Sequence, residues 1–436
     1  MDALPSENTA KRYALPGDVK RFCRQGKVVL INRHIPSWIV TDSLGELILS
    51  LFDGLHSVQD VQEIAVEALG DKYLEKIQKF CSYAIASRIF EEQQPTRRHR
   101  LQLSMVHLSL SEDCNLNCVY CYAKERKERE HRKVGLSDYI QVIDDILRIN
   151  PNCGFTITGG EPLLNPLWKD ISSYIRSRGA YSILLTNGTL INESNIDIIR
   201  QNFSLVTLSV DGSTAPVHSR TRGNNLHLVE RAIHLLESRG VDYSISMTVT
   251  KTNIHDVAMM AKKYGNRLSY APLFPVNDSL RRESIAITGM EYFNALKNAA
   301  GVAPLAYCES TIESAKHSRC YKCAVGDGEI SISATGDVYP CQLLHTPEFY
   351  AGNILDNPIN EIYQTAPSLI RCSNLNVDDM AGCKDCAFKY ICGGSCRARA
   401  YYETGSVDVS GDFCIYEQEA FIDGILGLYS ENSLLL

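Results

Sequence analysis

The sequence predicts an α/β protein built around a partial (β/α)6 barrel of parallel strands. Three observations lead there. Between residues 106 and 272 six short β-rich segments alternate with stretches of helical periodicity, the order that a parallel sheet with crossover helices demands. A polar run, Glu91-Glu92-Gln93-Gln94-Pro95-Thr96-Arg97-Arg98, separates this region from a smaller module in front. Sixteen cysteines in 436 residues is high usage, and most of them gather in one tight loop after residue 113 and in the segment beyond residue 319. The chain then divides into a front module at 1–95, a linker at 96–105, the barrel at 106–300 and a cysteine-rich domain at 301–436.

Composition narrows the class. At 44% apolar residues the chain can bury several cores. A net charge of −7 argues against a general nucleic-acid binder, whose footprint is basic. The first residues carry no basic region followed by an apolar stretch, and no apolar run is long enough to span a bilayer. The expectation is a soluble, cytoplasmic protein with no membrane partner, in which disulfides do not persist and metal ligation accounts for the excess thiols.

In the front module, Val28-Val29-Leu30-Ile31-Asn32 and Trp38-Ile39-Val40-Thr41-Asp42 are β-rich runs around a Pro36 turn and predict a hairpin. Three helices follow: Leu44 to Phe52, capped by Ser43 and ended by Gly54; Val58 to Leu69, capped by Ser57 and ended by Gly70; and Leu74 to Phe90. Such a unit is compact enough to fold alone. The pattern Ser43-Leu44-Gly45-Glu46-Leu47-Ile48-Leu49, then Phe52-Asp53-Gly54 and Ser57-Val58-Gln59-Asp60-Val61, resembles the winged-helix recognition element of peptide-modifying enzymes. That resemblance implies a leader peptide that adds a strand to the hairpin edge. A structural cap and a DNA-binding winged helix are the alternatives; the second calls for a basic recognition helix, and the last helix here is only mildly basic.

The barrel strands are expected at Val106 to Ser111, Gly154 to Thr158, Ser182 to Thr186, Leu205 to Val210, Tyr243 to Val249 and Arg267 to Pro272. Helices such as Tyr139 to Ile149 and Asn192 to Arg200 lie between them. Active groups on such a barrel sit at the C-terminal ends of the strands. The first strand leads into Cys114-Asn115-Leu116-Asn117-Cys118-Val119-Tyr120-Cys121, three thiols at intervals of four and three residues. Three ligands leave one iron of a four-iron cluster without a protein ligand, whereas an electron-transfer cluster has four. Structural zinc also closes with four, and no fourth is evident before Cys153, so an open cluster is favoured over zinc.

Thr158-Gly159-Gly160-Glu161-Pro162 ends the second strand. Together with the cysteine triplet it resembles the radical S-adenosylmethionine superfamily. The resemblance implies a [4Fe-4S] cluster on Cys114, Cys118 and Cys121 with S-adenosylmethionine on its open iron. It further implies Tyr120 beside the adenine, Gly159 and Gly160 letting backbone approach the methionine amino group, and Glu161 helping to fix that group. Ser209 and Asp211 would belong to the pocket, Asn187 would approach the ribose, and Arg222 would hold the carboxylate in a bidentate fork, with Arg220 its competitor. For the polar residues a strand-end turn contact is the plainer alternative.

Downstream, Cys320, Cys323 and Cys341 are followed by Cys383, Cys386, Cys392 and Cys396 at spacings of three, six and four, and Cys414 closes the series. This resembles the SPASM domain at every cysteine of its seven-cysteine pattern, with Cys320 outside it. Two zinc sites could also use eight cysteines. The resemblance implies two auxiliary [4Fe-4S] clusters, one on Cys320, Cys323, Cys341 and Cys396 and one on Cys383, Cys386, Cys392 and Cys414, making three per chain. Without Cys320 the first auxiliary cluster would have an open site of its own. Buried packing is the expectation for most of Cys23, Cys81, Cys153, Cys308 and Cys372.

Two additional clusters suit an oxidation in which a substrate radical surrenders a second electron. The function implied is an oxidative peptide maturase that holds a ribosomally made precursor by its leader and closes a crosslink, most plausibly a thioether, with flavodoxin or ferredoxin as electron donor. A carbon–carbon or carbon–oxygen crosslink would use the same parts. Anaerobic sulfatase-maturating enzymes, which make formylglycine, resemble the chain over residues 106–414. They carry an Asp general base directly after the cysteine matching Cys341, where this chain has Gln342, and generally lack the front module. A non-catalytic iron-sulfur or zinc scaffold would leave the open three-cysteine site and Gly160-Glu161-Pro162 unexplained.

Overall fold

The front of the chain forms β1 (Arg12–Ala14), β2 (Lys20–Arg24), β3 (Lys27–Asn32), β4 (Ser37–Thr41) and β5 (Asp53–Ser57) in a computed structural model that describes residues 9–24, 26–92, 101–121, 133–273, 284–299, 312 and 319–428. The expected hairpin is β3–β4, and β2 joins it to make a three-stranded antiparallel sheet. β1 pairs with β5. Neither β2 nor the β1–β5 pair was legible beforehand, because Lys20-Arg21-Phe22-Cys23-Arg24 is mostly charged and β1 has only 3 residues. The helix Ser43–Ser50 is capped by Asp42 rather than Ser43: the Asp42 carboxylate accepts from the amides of Leu44 and Gly45 at 3.1 and 2.9 Å. Ser57 caps Val58–Leu69 through a reciprocal pair with Asp60. The third helix, Leu74–Ala86, stops short of Phe90, where Arg88 adopts a left-handed φ of 67° that no α-helix continues through.

Side chains alternate across a strand, and here both faces of the front sheet are covered. Val28, Leu30 and Ile39 pack on the module's own helices, whereas Val29, Ile31, Trp38 and Val40 pack on Phe388, Ile391, Phe421 and Ile422 near the C-terminus. Arg24 crosses the same boundary to Asp423 at 2.7 Å. The module therefore shares a core with the cysteine-rich region, in place of the self-contained unit expected.

The barrel follows the expectation closely. β6 (Met105–Ser109), β7 (Gly154–Thr158), β8 (Ser182–Thr186), β9 (Leu205–Ser209), β10 (Tyr243–Val249) and β11 (Leu268–Pro272) lie parallel in sequential order. Helices including Leu136–Ile149, Trp168–Ser177 and Leu226–Ser238 cover the outer face. The helix expected from Asn192 starts at Ile196, because the Asn192 and Asn195 side chains hold a turn of their own. Val106, Leu108, Phe155, Ile157, Val206, Leu208, Ile245 and Met247 belong to the core under the helices. Alternation then turns His107, Thr156, Thr207, Ser244, Ser246 and Thr248 to the inside, so much of the inner face is polar.

The sheet does not stop at the barrel. β12 (Glu329–Ile332) adds in parallel to β6, pairing Glu329 with Met105 and Ser331 with His107. β13 (Asp337–Tyr339) and β14 (Gly352–Asn353) continue antiparallel to make a nine-stranded sheet. Cys392 and Cys414 then lie on the helices Lys389–Cys392 and Cys414–Leu428, while Cys383, Cys386 and Cys396 lie on the turns between helices. No helix among the described residues is long and apolar enough to cross a membrane.

Candidate active site at the barrel mouth

The Gly159-Gly160 pair exists where two backbones touch. Gly160 and Glu161 donate their amides to the carbonyls of Ser111 and Asp113 at 2.6 and 2.8 Å. A Cβ on Gly159 would stand 2.4 Å from the Ser111 carbonyl oxygen, and one on Gly160 2.3 Å from that of Asp113. Gly159 also holds a φ of 139°, which favours glycine. The segment brought close by these glycines is thus the one leading into Cys114, so the turn after β7 sets the position of the cysteine loop.

Cys114, Cys118 and Cys121 come together on that loop, near enough that each of Cys114 and Cys118 feels the charge of Cys121. Burial raises the Cys114 and Cys118 thiols above their ordinary range, and at Cys118 the Arg222 guanidinium opposes the rise. Asn187 Nδ2 reaches Cys114 Sγ at 3.8 Å and Arg222 Nη1 reaches Cys118 Sγ at 3.9 Å. No group of three or more His, Cys, Asp or Glu side chains among the described residues closes around a single metal ion.

Asp211 is the hub beside them. Fully buried, it accepts from the Tyr120 hydroxyl, from Thr221 Oγ1 at 2.9 Å and from the Thr248 amide at 3.0 Å. Arg222 Nε lies 2.9 Å from the same carboxylate as an ion pair, yet out of line for a hydrogen bond, so this N–H is a buried donor with no acceptor among the described residues. Burial alone would lower the Arg222 pKa, and the Asp211 charge more than reverses that, keeping the guanidinium ionised. The Tyr120 ring stacks 5.4 Å from it. Arg220, by contrast, points away to the Thr252 carbonyl at 3.2 Å on the surface, which leaves Arg222 as the arginine inside the site.

Glu161 and Asn187 act on the loops themselves. The fully buried Glu161 carboxylate accepts from the Leu163 amide (3.1 Å), Thr186 Oγ1 (2.8 Å) and the Asn187 amide (2.9 Å), and burial raises its pKa. Asn187 Nδ2 donates to Asn115 Oδ1 at 2.9 Å, tying β8 to the cysteine loop. These are the strand-end contacts named above as the plainer alternative. Ser209 is half-buried at the end of β9. Thr186, Thr221 and Thr248 complete the network without having been singled out beforehand; they come from separate strands and helices, and only the adjacency of Thr186 to Asn187 and of Thr221 to Arg222 offered a signal.

Of the downstream thiols, Cys396 lies near both Cys323 and Cys341, and Cys341 near Cys323; burial pushes Cys323 up to about 11. Cys320 stands differently, its thiol directed at the Lys322 carbonyl (3.6 Å) and against Gly393. Cys372, buried, borders Cys323. Cys383, Cys386, Cys392 and Cys414 line a cavity with about 470 Å3 of non-atom space, part of it open to solvent, and Cys414 influences each of the other three. Cys81 and Cys153 are buried as expected, Cys23 is exposed on β2 instead, and Cys308 lies outside the described residues.

A family model described as the radical SAM superfamily matches residues 108–264, and one described as the SPASM iron-sulfur cluster-binding domain matches residues 323–387. The chain carries a radical SAM domain and a SPASM domain. This radical SAM/SPASM enzyme is 26% identical over 343 residues to the AdoMet-dependent heme synthase of Methanosarcina barkeri, covering 72% of this chain and 96% of that protein. It is 25% identical over 330 residues to a cysteine-type anaerobic sulfatase-maturating enzyme of Clostridium perfringens, covering 68% and 89%. Among solved structures, native anSMEcpe with bound AdoMet aligns with a TM-score of 0.62 at 23% identity, over 75% of this chain and 98% of that one. Streptococcus suis SuiB bound to its precursor peptide SuiA aligns at 0.57 and 15% identity, over 92% and 99%. At these identities the structural likeness speaks to fold. The two families imply iron-sulfur clusters and S-adenosylmethionine, and the barrel mouth fits them: three neighbouring thiols beside a buried guanidinium with an unused donor.

Proposed function

We propose that this enzyme is a peptide maturase that binds a ribosomally made precursor by its leader and oxidatively installs an intrapeptide crosslink, most readily a thioether. One observation carries the reading: the front sheet presents a largely exposed edge strand, β2, while its inner face is built into the helices that bear Cys392 and Cys414. A peptide strand added at that edge is held against the cluster-bearing region. The likeness to SuiB, which spans 92% of this chain against 75% for anSMEcpe, supports it.

In this reading Cys114, Cys118 and Cys121 hold a [4Fe-4S] cluster open to S-adenosylmethionine. Cys323, Cys341 and Cys396 hold a first auxiliary cluster, with Cys320 as its outlying fourth thiol, and Cys383, Cys386, Cys392 and Cys414 hold a second. The bound cofactor supplies a 5'-deoxyadenosyl radical able to remove hydrogen from an unactivated carbon. Arg222, kept charged by Asp211, offers its fork to the cofactor carboxylate. Tyr120, Ser209 and Asn187 bound the pocket, and Gly159, Gly160 and Glu161 keep the cysteine loop in place. The polar inner face of the barrel receives the core peptide. A flavodoxin or ferredoxin in the cytoplasm donates the electron.

Formylglycine formation is disfavoured by Gln342, an amide where those enzymes carry a base. The relatives named heme synthases, matched over 96% of one of them, favour a second reading with a tetrapyrrole substrate. Anaerobic reduction with S-adenosylmethionine and a short cysteine-rich peptide encoded beside this gene tests the choice. The expected products are 5'-deoxyadenosine and a peptide lighter by two hydrogens; an unchanged peptide, with turnover on a haem precursor instead, would overturn the proposal.

A further inference from the structure

We infer that His107, oriented by Glu329, accepts the proton released when the crosslink closes. This rests on the crosslinking function proposed above. His107 lies on the inner face of β6, between Val106 and Leu108, which point outward into the core, and it is 9% exposed. Its Nε2 lies 3.2 Å from Glu329 Oε1 on the neighbouring strand β12. Its Nδ1 is buried and has no hydrogen-bond partner among the described residues. A carboxylate beside Nε2, an ion-pair contact rather than an aligned hydrogen bond, favours the ring proton on that side and leaves the Nδ1 lone pair bare; this is the tautomer of a general base with an acidic orienting partner.

The surroundings suit that task. On the β7 side the neighbour in register is Thr156, uncharged and bonded to Met105. From the far side of β12, the Cys341 and Cys323 thiols lie within the electrostatic reach of Glu329. His345 bonds Ser331, the register partner of His107, at 2.8 Å and stacks on Tyr339. The pair thus stands between the polar barrel interior and the thiols proposed to hold the first auxiliary cluster. It also answers a deficit: position 342 carries an amide, so a base must come from another element.

The step balances as follows. A carbon–hydrogen bond of the peptide breaks and its hydrogen atom goes to the 5'-deoxyadenosyl radical. A cysteine S–H gives its proton to His107 Nδ1, the carbon–sulfur bond forms, and one electron passes to an iron-sulfur cluster. Glu329 is a positioning residue that touches His107 and not the substrate.

The holoenzyme variants His107→Asn and Glu329→Gln test this, with iron content and peptide binding as controls expected to stay at wild-type values. The ratio of crosslinked peptide to 5'-deoxyadenosine should fall about 100-fold in the first and about 10-fold in the second, in the range of lost general-base catalysis. In Glu329→Gln, 15N NMR of the oxidised holoenzyme should show the Nε2–H tautomer of His107 lost, a change that a merely structural role would not produce. Wild-type ratios in both variants would overturn the inference. Should His107→Asn lose iron, or should no peptide be crosslinked by the wild type, which sinks the function and not this pair, 15N NMR of the oxidised holoenzyme decides. Nε2–H with bare Nδ1, lost in Glu329→Gln, supports the inference, and a protonated Nδ1 overturns it.

Discussion

The thiols at the barrel mouth and those around the cavity of Cys383, Cys386, Cys392 and Cys414 sit in different environments. Cys114 and Cys118 are surrounded by polar groups with directed donors, Asn187 and Arg222, and by a buried carboxylate that holds the arginine in place. Cys386 and Cys392 instead pack against an apolar core of Phe388, Ile391 and Phe421 that the front module completes with Val29, Ile31 and Trp38. The first arrangement can recognise a charged guest. The second shelters its thiols, and its integrity depends on residues more than 300 positions earlier in the chain.

The sharpest way to break this contrast is to remove residues 1–92. Deletion should uncover Phe388, Ile391, Phe421 and Ile422, so the truncated protein should precipitate or lose the iron proposed for Cys383, Cys386, Cys392 and Cys414 while Cys114, Cys118 and Cys121 keep their neighbours. Full iron content in a soluble truncation would show that the shared core is dispensable. Next, Cys118→Ala should abolish 5'-deoxyadenosine formation and leave the downstream iron in place; normal cofactor cleavage in that variant would refute the barrel-mouth assignment.

Asp211→Asn probes the polar environment directly. It leaves the buried Arg222 charge without its partner, a change that costs about 3–5 kcal/mol when an ion pair is fully enclosed. Denaturant titration should register that loss, and wild-type stability would mean the hub is not structural. Gly160→Ala should cost about 1–3 kcal/mol through overpacking, since its Cβ would sit 2.3 Å from the Asp113 carbonyl oxygen, and should slow cofactor cleavage. Gly179→Ala, with nothing within 4 Å, should lose only the smaller penalty of its φ of 74° and leave cleavage unchanged.

The smallest effect concerns thiols outside both sets. Burial pushes Cys81 and Cys153 from 9.0 up to about 12. Each is neutral when protonated, so its contribution to stability is complete below the unfolded value and is lost as pH rises from 9.0 towards 12. Melting temperature should be insensitive to these two at neutral pH and decline above pH 9.0, and Cys153→Ala should flatten part of that decline.

Local pattern was enough for the barrel and for the grouping of three thiols at its mouth. Period-two runs bounded by turns marked β7, β8 and β10 to the residue, and three cysteines on one short loop are neighbours whatever the rest of the chain does. Contacts made across long separations left no such trace. The capping choice between Asp42 and Ser43, the network of Thr186, Thr221 and Thr248, and the pairing of β12 with β6 all depend on which segments meet in space. So does the front module's second face: Val29, Ile31, Trp38 and Val40 are apolar in any reading, but only the packed chain reveals that they cover the helices bearing Cys392 and Cys414. Backbone conformation answers to neighbours a few residues away and is written in composition and spacing, whereas burial partners are settled by the competition among all apolar surfaces at once.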